Sequence, residues 1–330
     1  MNTQKLDKFI RNNFLFLCII LAVIFAVAKG ATIFQIEPPH TDPAKTTIPT
    51  AQDATFRTYW YNGQAEINTY TLDKVRYGQL NQGEAVLVFV TEDFRTDTQV
   101  KLESNQKNLA TSVLKLNFIQ KFTTGIYDYS LMNSTFTPVD TQLFPHALKT
   151  SFSAQEWCGH VYSQLNLKGK QYWLEGKSYF EKEVQQDTSL KVTWLEDELW
   201  NRIRLSPASL PVDDFDIIPS LESSRLQHRP LAPTACRGTL QVYTGTVFVG
   251  NALQAYSVAF LNQNRVLTIV FENVFPYKIV GWTDVFSQKG KTFTTQAILK
   301  KTLKIDYWNK NKPENTSLRD SLLLQTPIQP

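Results

Sequence analysis

From about Thr55 onward, apolar and polar residues alternate with the period of a β-strand along most of this chain. TFRTYWY and AEINTYTLDKVRYG carry Tyr, Ile and Thr with short polar gaps. Ala85 to Val90 is an unbroken apolar run after Gly83, which predicts a central strand buried on both faces. Leu114, Leu116 and Phe118 alternate with Lys115 and Asn117, and Gly125 to Tyr129 continues in kind. After Cys236, LQVYTGTVFVG, AYSVAFLNQNRVLTIVFE and YKIVGWTDVF read as strands, with Asn262-Gln263-Asn264 as a turn. Leu303, Ile305 and Tyr307 alternate with Lys304 and Asp306 in a last long strand. Lys168-Gly169 and Glu175-Gly176 are expected to be hairpin turns.

One segment breaks this period. Residues 193–205 predict the one principal helix: Thr193 and Glu196 have capping-box spacing. Glu196, Asp197 and Glu198 in the first turn and Arg202 and Arg204 in the last suit the helix dipole. Leu195, Leu199 and Ile203 form an apolar stripe flanked by Trp194 and Trp200, and Pro207 follows the end. Residues 206–235, with Pro207, Pro211, Pro219, Pro230 and Pro233, read as an irregular crossing segment. The βαβ alternation of a parallel sheet is missing. The expected fold is therefore mainly β: a large curled antiparallel sheet or incompletely closed barrel, with the helix packed on it or capping its opening.

The ends read differently from the body. Lys5, Lys8 and Arg11 precede an apolar run from Phe14 to Ala28, which closes in Ala26-Val27-Ala28. The run has 15 residues, short of the roughly 20 a membrane span needs, so 1–28 reads as a secretory signal. An uncleaved N-terminal anchor, and membrane association through it, is the alternative. Residues 29–52 contain Pro38, Pro39, Pro43 and Pro49 and read as a Pro-rich tether. A single β-rich domain over 53–308 and a frayed tail over 309–330 complete the expected organisation.

Charge narrows the partners. The formal net charge is +4, and without residues 1–28 the balance is 31 basic against 29 acidic residues. The two signs are interspersed and no basic stripe is visible, so nucleic acid is not an expected partner. Cys18 would leave with a signal peptide. Cys158 and Cys236 remain, and in an oxidising compartment they are a disulfide candidate; two separate buried thiols are the alternative.

The candidate chemistry lies between Leu148 and Glu183, in Glu156-Trp157-Cys158-Gly159-His160. Read as one strand, Leu148, Thr150, Phe152 and Ala154 share a face that continues as Glu156, Cys158, His160 and Tyr162. An apolar row that turns polar suits the wall of a partly wet cavity. Glu156, Cys158, His160, Tyr162 and Trp194 are therefore the expected ligand-binding residues, and Cys158, His160 and Glu156 the catalytic candidates. A Cys–His nucleophile needs the imidazole beside the sulfur and a third group to orient it. No metal is expected, because three adjacent positions on one strand rarely converge on one ion. The structural alternative is that Trp157 anchors the core and Gly159 forms a bulge, which would carry His160 to the side of Trp157. No Walker loop, HExxH, GxSxG or paired CxxC is present, and no cofactor is implied.

AVLVFVTEDF, QEWCGH, SYFEKE and LEDELWNRIR resemble segments of a group of Gram-negative envelope proteins often labelled septum formation inhibitor Maf. True Maf nucleotide pyrophosphatases have an α/β fold and an early Ser-x-Ser-Pro-Arg-Arg loop. The nearest match here runs from Arg204 to Ser209 and lacks the paired arginines, so no Maf catalytic residue carries over. In architecture, a signal, a strand-rich body and a single helix are similar to LolA-type open barrels. Together these imply an exported, non-enzymatic envelope protein whose partner is a lipid-like ligand or another envelope protein. The alternative is an envelope hydrolase or redox enzyme centred on Cys158 and His160.

Overall fold

The computed structural model describes residues 54–181 and 186–324, with only the backbone of Gln186. The expected signal or anchor at 1–28 and tether at 29–52 lie outside the described residues. The body is one mainly β unit built from a single open sheet of 15 strands. In chain order the strands are β1 (Ala65–Arg76), β2 (Gln79–Arg95), β3 (Ala110–Thr124), β4 (Tyr127–Pro138), β5 (Lys149–Glu156), β6 (Gly159–Lys168), β7 (Gln171–Ser178) and β8 (Gln186–Lys191). There follow β9 (Trp194–Leu195), β10 (Asp213–Ile218), β11 (Thr234–Val242), β12 (Leu253–Phe260), β13 (Arg265–Glu272), β14 (Ile279–Gln288) and β15 (Lys291–Ile305).

Neighbours in sequence are neighbours in the sheet, and the circle joins where β1 pairs antiparallel with β15, Ala65 opposite Ile305. Every pairing is antiparallel except β9 with β10. The order breaks only between β8 and β9, which just Val192 and Thr193 separate along the chain. Lys191 and Trp194 are three Cα steps apart, so the facing ends of the two edges lie within about 11 Å. The sheet is thus a meander curled almost into a barrel. One core confirms the curl: Leu116 of β3, Tyr172 of β7, Ile217 of β10 and Ile269 of β13 belong to the same buried cluster.

The central helix occupies the inside of this curl. A 3-10 turn, Glu196–Glu198, runs into α2 (Leu199–Leu205), and every residue of both is buried. The expected stripe Leu195, Leu199 and Ile203 does dock on the sheet, but so do the other faces. The start differs from expectation. Thr193 is not the cap, because its hydroxyl donates to the Asp216 carbonyl. Instead the Glu198 carboxylate accepts the Leu195 N–H at 3.1 Å. One end of the curl is plugged by α1 (Ala54–Trp60) through Phe56 and Trp60. Beside the interior near the other end lies α3 (Leu221–Gln227), whose Ser220 hydroxyl accepts the Ser223 N–H. The crossing segment is therefore structured: it supplies β10, α3 and the start of β11.

Two turns and the tail complete the comparison. Gly169 turns the β6–β7 hairpin as expected, whereas Glu175-Gly176 lies within β7, opposite Gln164 and Ser163. The tail does not fray before Leu324. It forms α4 (Leu318–Ser321) and buries Leu322 against Ala65, Ile67, Val88 and Val90 on the outer face. The Leu322 carbonyl accepts the Thr69 hydroxyl at 2.7 Å. This explains why β2 is apolar on both faces: Leu87 and Phe89 serve the interior, and Val88 and Val90 serve the tail.

Because Leu199 is wholly enclosed, Leu199→Ala should cost about 2–5 kcal/mol in a urea or guanidinium melt, as buried Leu truncations do. A midpoint unchanged from wild type would mean that the stripe is not packed.

Candidate functional site

A helix buried on every side must satisfy its own polar groups. Glu66 and Arg204 form a bidentate pair at 2.5 and 2.6 Å with both side chains fully buried. Arg204 also lies over the rings of Phe89 and Trp60. Burial alone would raise the Glu66 carboxyl; the Arg204 charge and hydrogen bonds from Arg204, Tyr59 and Asn68 outweigh it and hold it below the ordinary value. Arg265 of β13 binds Glu196 at 2.6 and 2.7 Å and Asp284 of β14 at 2.8 and 3.0 Å. Glu198 takes Arg202 at 3.1 Å, His146 at 3.2 Å and the Ala147 N–H at 2.8 Å. Asn201 donates to the Leu114 carbonyl and the Thr137 hydroxyl, each at 3.0 Å.

Beside this framework is a cavity of about 260 Å³ between α2, α3 and the inner face of β1, β3, β4, β13, β14 and β15. Its aromatic wall is Trp200, Trp282 and Phe118, three rings in mutual edge contact with centroids 5.1, 5.1 and 5.2 Å apart. Its polar wall includes Lys74 paired with Glu222, and Gln120 donating to the same carboxylate. Arg76 and the Tyr77–Gly78 turn line it at the end of β1, with the exposed His228 and Arg229 where α3 ends. On the far side of α3 is a second cavity of about 590 Å³, lined by Val161, Leu174, Leu221 and Leu231 among others.

Asp197 differs from its neighbours. It is buried and lines the first cavity, where it accepts from Thr150 at 3.2 Å and from the Leu221 N–H at 3.4 Å. Among the described residues no Lys, Arg or His nitrogen lies within 4.0 Å of it. Burial, then the adjacent Glu196 charge, push its carboxyl up to about 7.

The residues singled out in the sequence do not assemble. The chain reverses at Trp157-Cys158, so Glu156 pairs with Gly159 and Gln155 with His160. There is neither an unbroken strand nor a bulge at Gly159. A Cβ at Gly159 would come within 2.7 Å of the Tyr179 ring, which is why the position needs Gly. Glu156 faces inward and binds Arg225 at 3.1 Å, while His160 and Tyr162 are exposed and belong to the outer face. Cys158 is exposed in the turn and Trp157 is 69% exposed, so Trp157 anchors no core. Trp194 packs beside the His146 ring and under Arg202, away from the cavity lining. The expected disulfide is not formed: Cys236 is a free, buried thiol in β11. Burial, then the Glu196 charge, push it up to about 12, which leaves it unreactive. Among the described residues no group of three or more His, Cys, Asp and Glu side chains could hold a metal ion.

The inward-facing polar residues, Lys74 and Arg76 of the cavity among them, are marked in the sequence by phase. Glu66, Asn68, Lys74 and Arg76 share the parity of Tyr70 and Leu72 in β1, and all six are buried. Charged residues in phase with a core row were the available signal.

Two variants test this framework. Arg204→Met strands the Glu66 carboxylate and should cost about 3–5 kcal/mol, partly restored by adding Glu66→Gln. A loss of under 1 kcal/mol would mean that water reaches Glu66. Asp197→Asn tests the elevated carboxyl. Unfolded Asp ionises near 4 and the folded one at about 7, so over that window the folded state binds more protons and stability falls as pH rises. Asp197→Asn removes this loss. Relative to wild type it should gain up to about 1.4 kcal/mol per pH unit between pH 4 and 7, with no further gain above. Urea melts at pH 5 and 8 that differ equally for both proteins would show Asp197 to be ionised throughout.

Compared with protein-family models, curated proteins and solved structures, the chain finds no match, so the use of the cavity has to be read from its own chemistry.

Proposed function

We propose that this is an exported, non-enzymatic protein of the cell envelope that takes an amphipathic ligand into its curled sheet. The observation that carries this is the first cavity: one wall of aromatic rings and one of charged side chains, inside the sheet and beside α3. Such a split wall suits a molecule with an apolar part and a polar part. Export rests on the basic, apolar and Ala-Val-Ala pattern at the N-terminus. The hydrolase or redox alternative gains nothing from Cys158 and His160, which sit in an exposed turn and on the outer face.

Native mass spectrometry of the protein purified from its own envelope tests both parts at once. The chain mass should correspond to a start near Lys29, and the folded protein should carry a small molecule that denaturation releases. Ser223→Trp, which puts an indole at the cavity wall, should abolish the retained mass. Wild-type protein that carries no bound mass, and whose tryptophan emission is unmoved by a series of single-chain amphiphiles, would rule binding out. A chain mass starting at Met1 would replace export in soluble form by anchoring.

A further inference from the structure

The charges lining the first cavity are unevenly matched. Lys74 is neutralised by Glu222, and Arg265 by Glu196 and Asp284. Three lining groups have no opposite charge within 4.0 Å among the described residues: Asp197, Arg76 and Arg229. Their hydrogen-bond partners are neutral. Arg76 donates to the Leu226 carbonyl at 2.6 Å and to the Tyr129 hydroxyl at 3.4 Å. Arg229 donates to the Gln263 side chain at 2.9 Å. Asp197 accepts only from uncharged donors.

Their positions differ too. Asp197 is buried at the start of the central helix, and Trp200 follows it by three residues, so the two share a helix face. Trp200 belongs to the ring triad with Trp282 and Phe118. A carboxylate beside aromatic rings, out of water and without a cation, is an environment for an organic ammonium: the charge answers Asp197 and the ring faces answer the alkyl groups around nitrogen. Arg76 closes β1 beside the Tyr77–Gly78 turn, and Arg229 is exposed. Two guanidinium groups without carboxylate partners suit a phosphate or carboxylate.

We propose that the ligand of this cavity is a small zwitterion, with its ammonium at Asp197 and the Trp200–Trp282–Phe118 rings and its anionic group at Arg76 and Arg229. This rests on the cavity's being the binding site and specifies what it binds. The chemistry is shared by zwitterionic lipid head groups and by free amino-alkyl phosphates.

The groups facing Asp197 are Glu196 from its own turn, Glu222 from α3, Lys74 from β1, Arg265 from β13 and Asp284 from β14. Apart from Asp197 these form mutual pairs, so ammonium binding should follow the ionisation of Asp197. His228 also lines the cavity, next to Arg229 where α3 ends. Choline, which has no anionic group, isolates the Asp197 effect.

The full chain is titrated with phosphocholine, choline and inorganic phosphate, read by tryptophan fluorescence and calorimetry at pH 8 and 5.5. Phosphocholine should bind more tightly than either half. Choline affinity should fall by at least tenfold at the lower pH. Asp197→Asn should abolish choline binding while the protein stays folded. Arg229→Ala should weaken phosphocholine and leave choline unchanged. Phosphate that binds as tightly as phosphocholine, or choline binding that survives Asp197→Asn, would overturn the proposal. If no probe binds but the purified protein still carries an amphipathic mass, the ligand class fails and the binding function stands; if neither is seen, both fail. Co-sedimentation with phosphatidylcholine vesicles, competed by phosphocholine, assigns the head group to a lipid, and bound phosphocholine without vesicle binding assigns a free solute.

Discussion

A sheet of fifteen strands that curls on itself encloses more space than its own side chains can fill. That constraint explains most of what the chain does between β8 and β10. The wall is interrupted after Lys191, and after the short edge strand β9 residues 196–205 are sent inside as filler. A helix there has no solvent side, so its polar residues need partners on the wall. The wall supplies them from distant points of the sequence: Glu66 from β1, Arg265 from β13, itself held by Asp284 of β14, and the Ala147 N–H before β5. The open seam and the buried charges thus have one cause. A chain that must pass from wall to interior cannot also close the wall at that point.

The class of the fold was legible because period-two alternation is a local property, and most strands carry it with inward apolar rows. The number of strands and the burial of the helix were not, because both depend on how far the sheet curls. The Leu195, Leu199 and Ile203 stripe docks as its spacing predicts, and Trp200 and Leu205 off that stripe are the hint that no face is free. Glu196, Asp197 and Glu198 fit the dipole rule for an exposed helix equally well, so local propensity gave no reason to bury them. The docking of the tail is hidden in the sequence for a related reason. From Asn309 onward it has no aromatic residue, but Leu322 needed only one outward patch on β1 and β2 to dock.

The candidate chemistry failed on a single register event. Trp157-Cys158 lacks the Asn-Gly or Asp-Gly composition that marks a two-residue hairpin, so the strand was carried straight through the turn. One missed reversal moved His160 and Tyr162 to the outer face and left Glu156 inside. The residues that do line the cavity come from six strands and two helices, and no linear motif joins them. Only phase within a strand was readable, as for Lys74 and Arg76 at the end of the inward row of β1.

Buried ion pairs are weak evidence for stability, since well-packed apolar groups of the same shape can do as well. Their consequence here is positional. Sliding α2 by one turn, about 5.4 Å, would separate Arg204 from Glu66 and strip Glu198 of His146 and the Ala147 N–H at once. Each broken contact would leave a charge without a partner in a dry interior, so the helix has one depth and one rotation. That fixed pose aims Asp197 and Trp200 together at the cavity. It also identifies which group is out of balance. Glu196 and Glu198 each have a cation from the chain, whereas Asp197, which borders the cavity beside Glu196, has only uncharged donors.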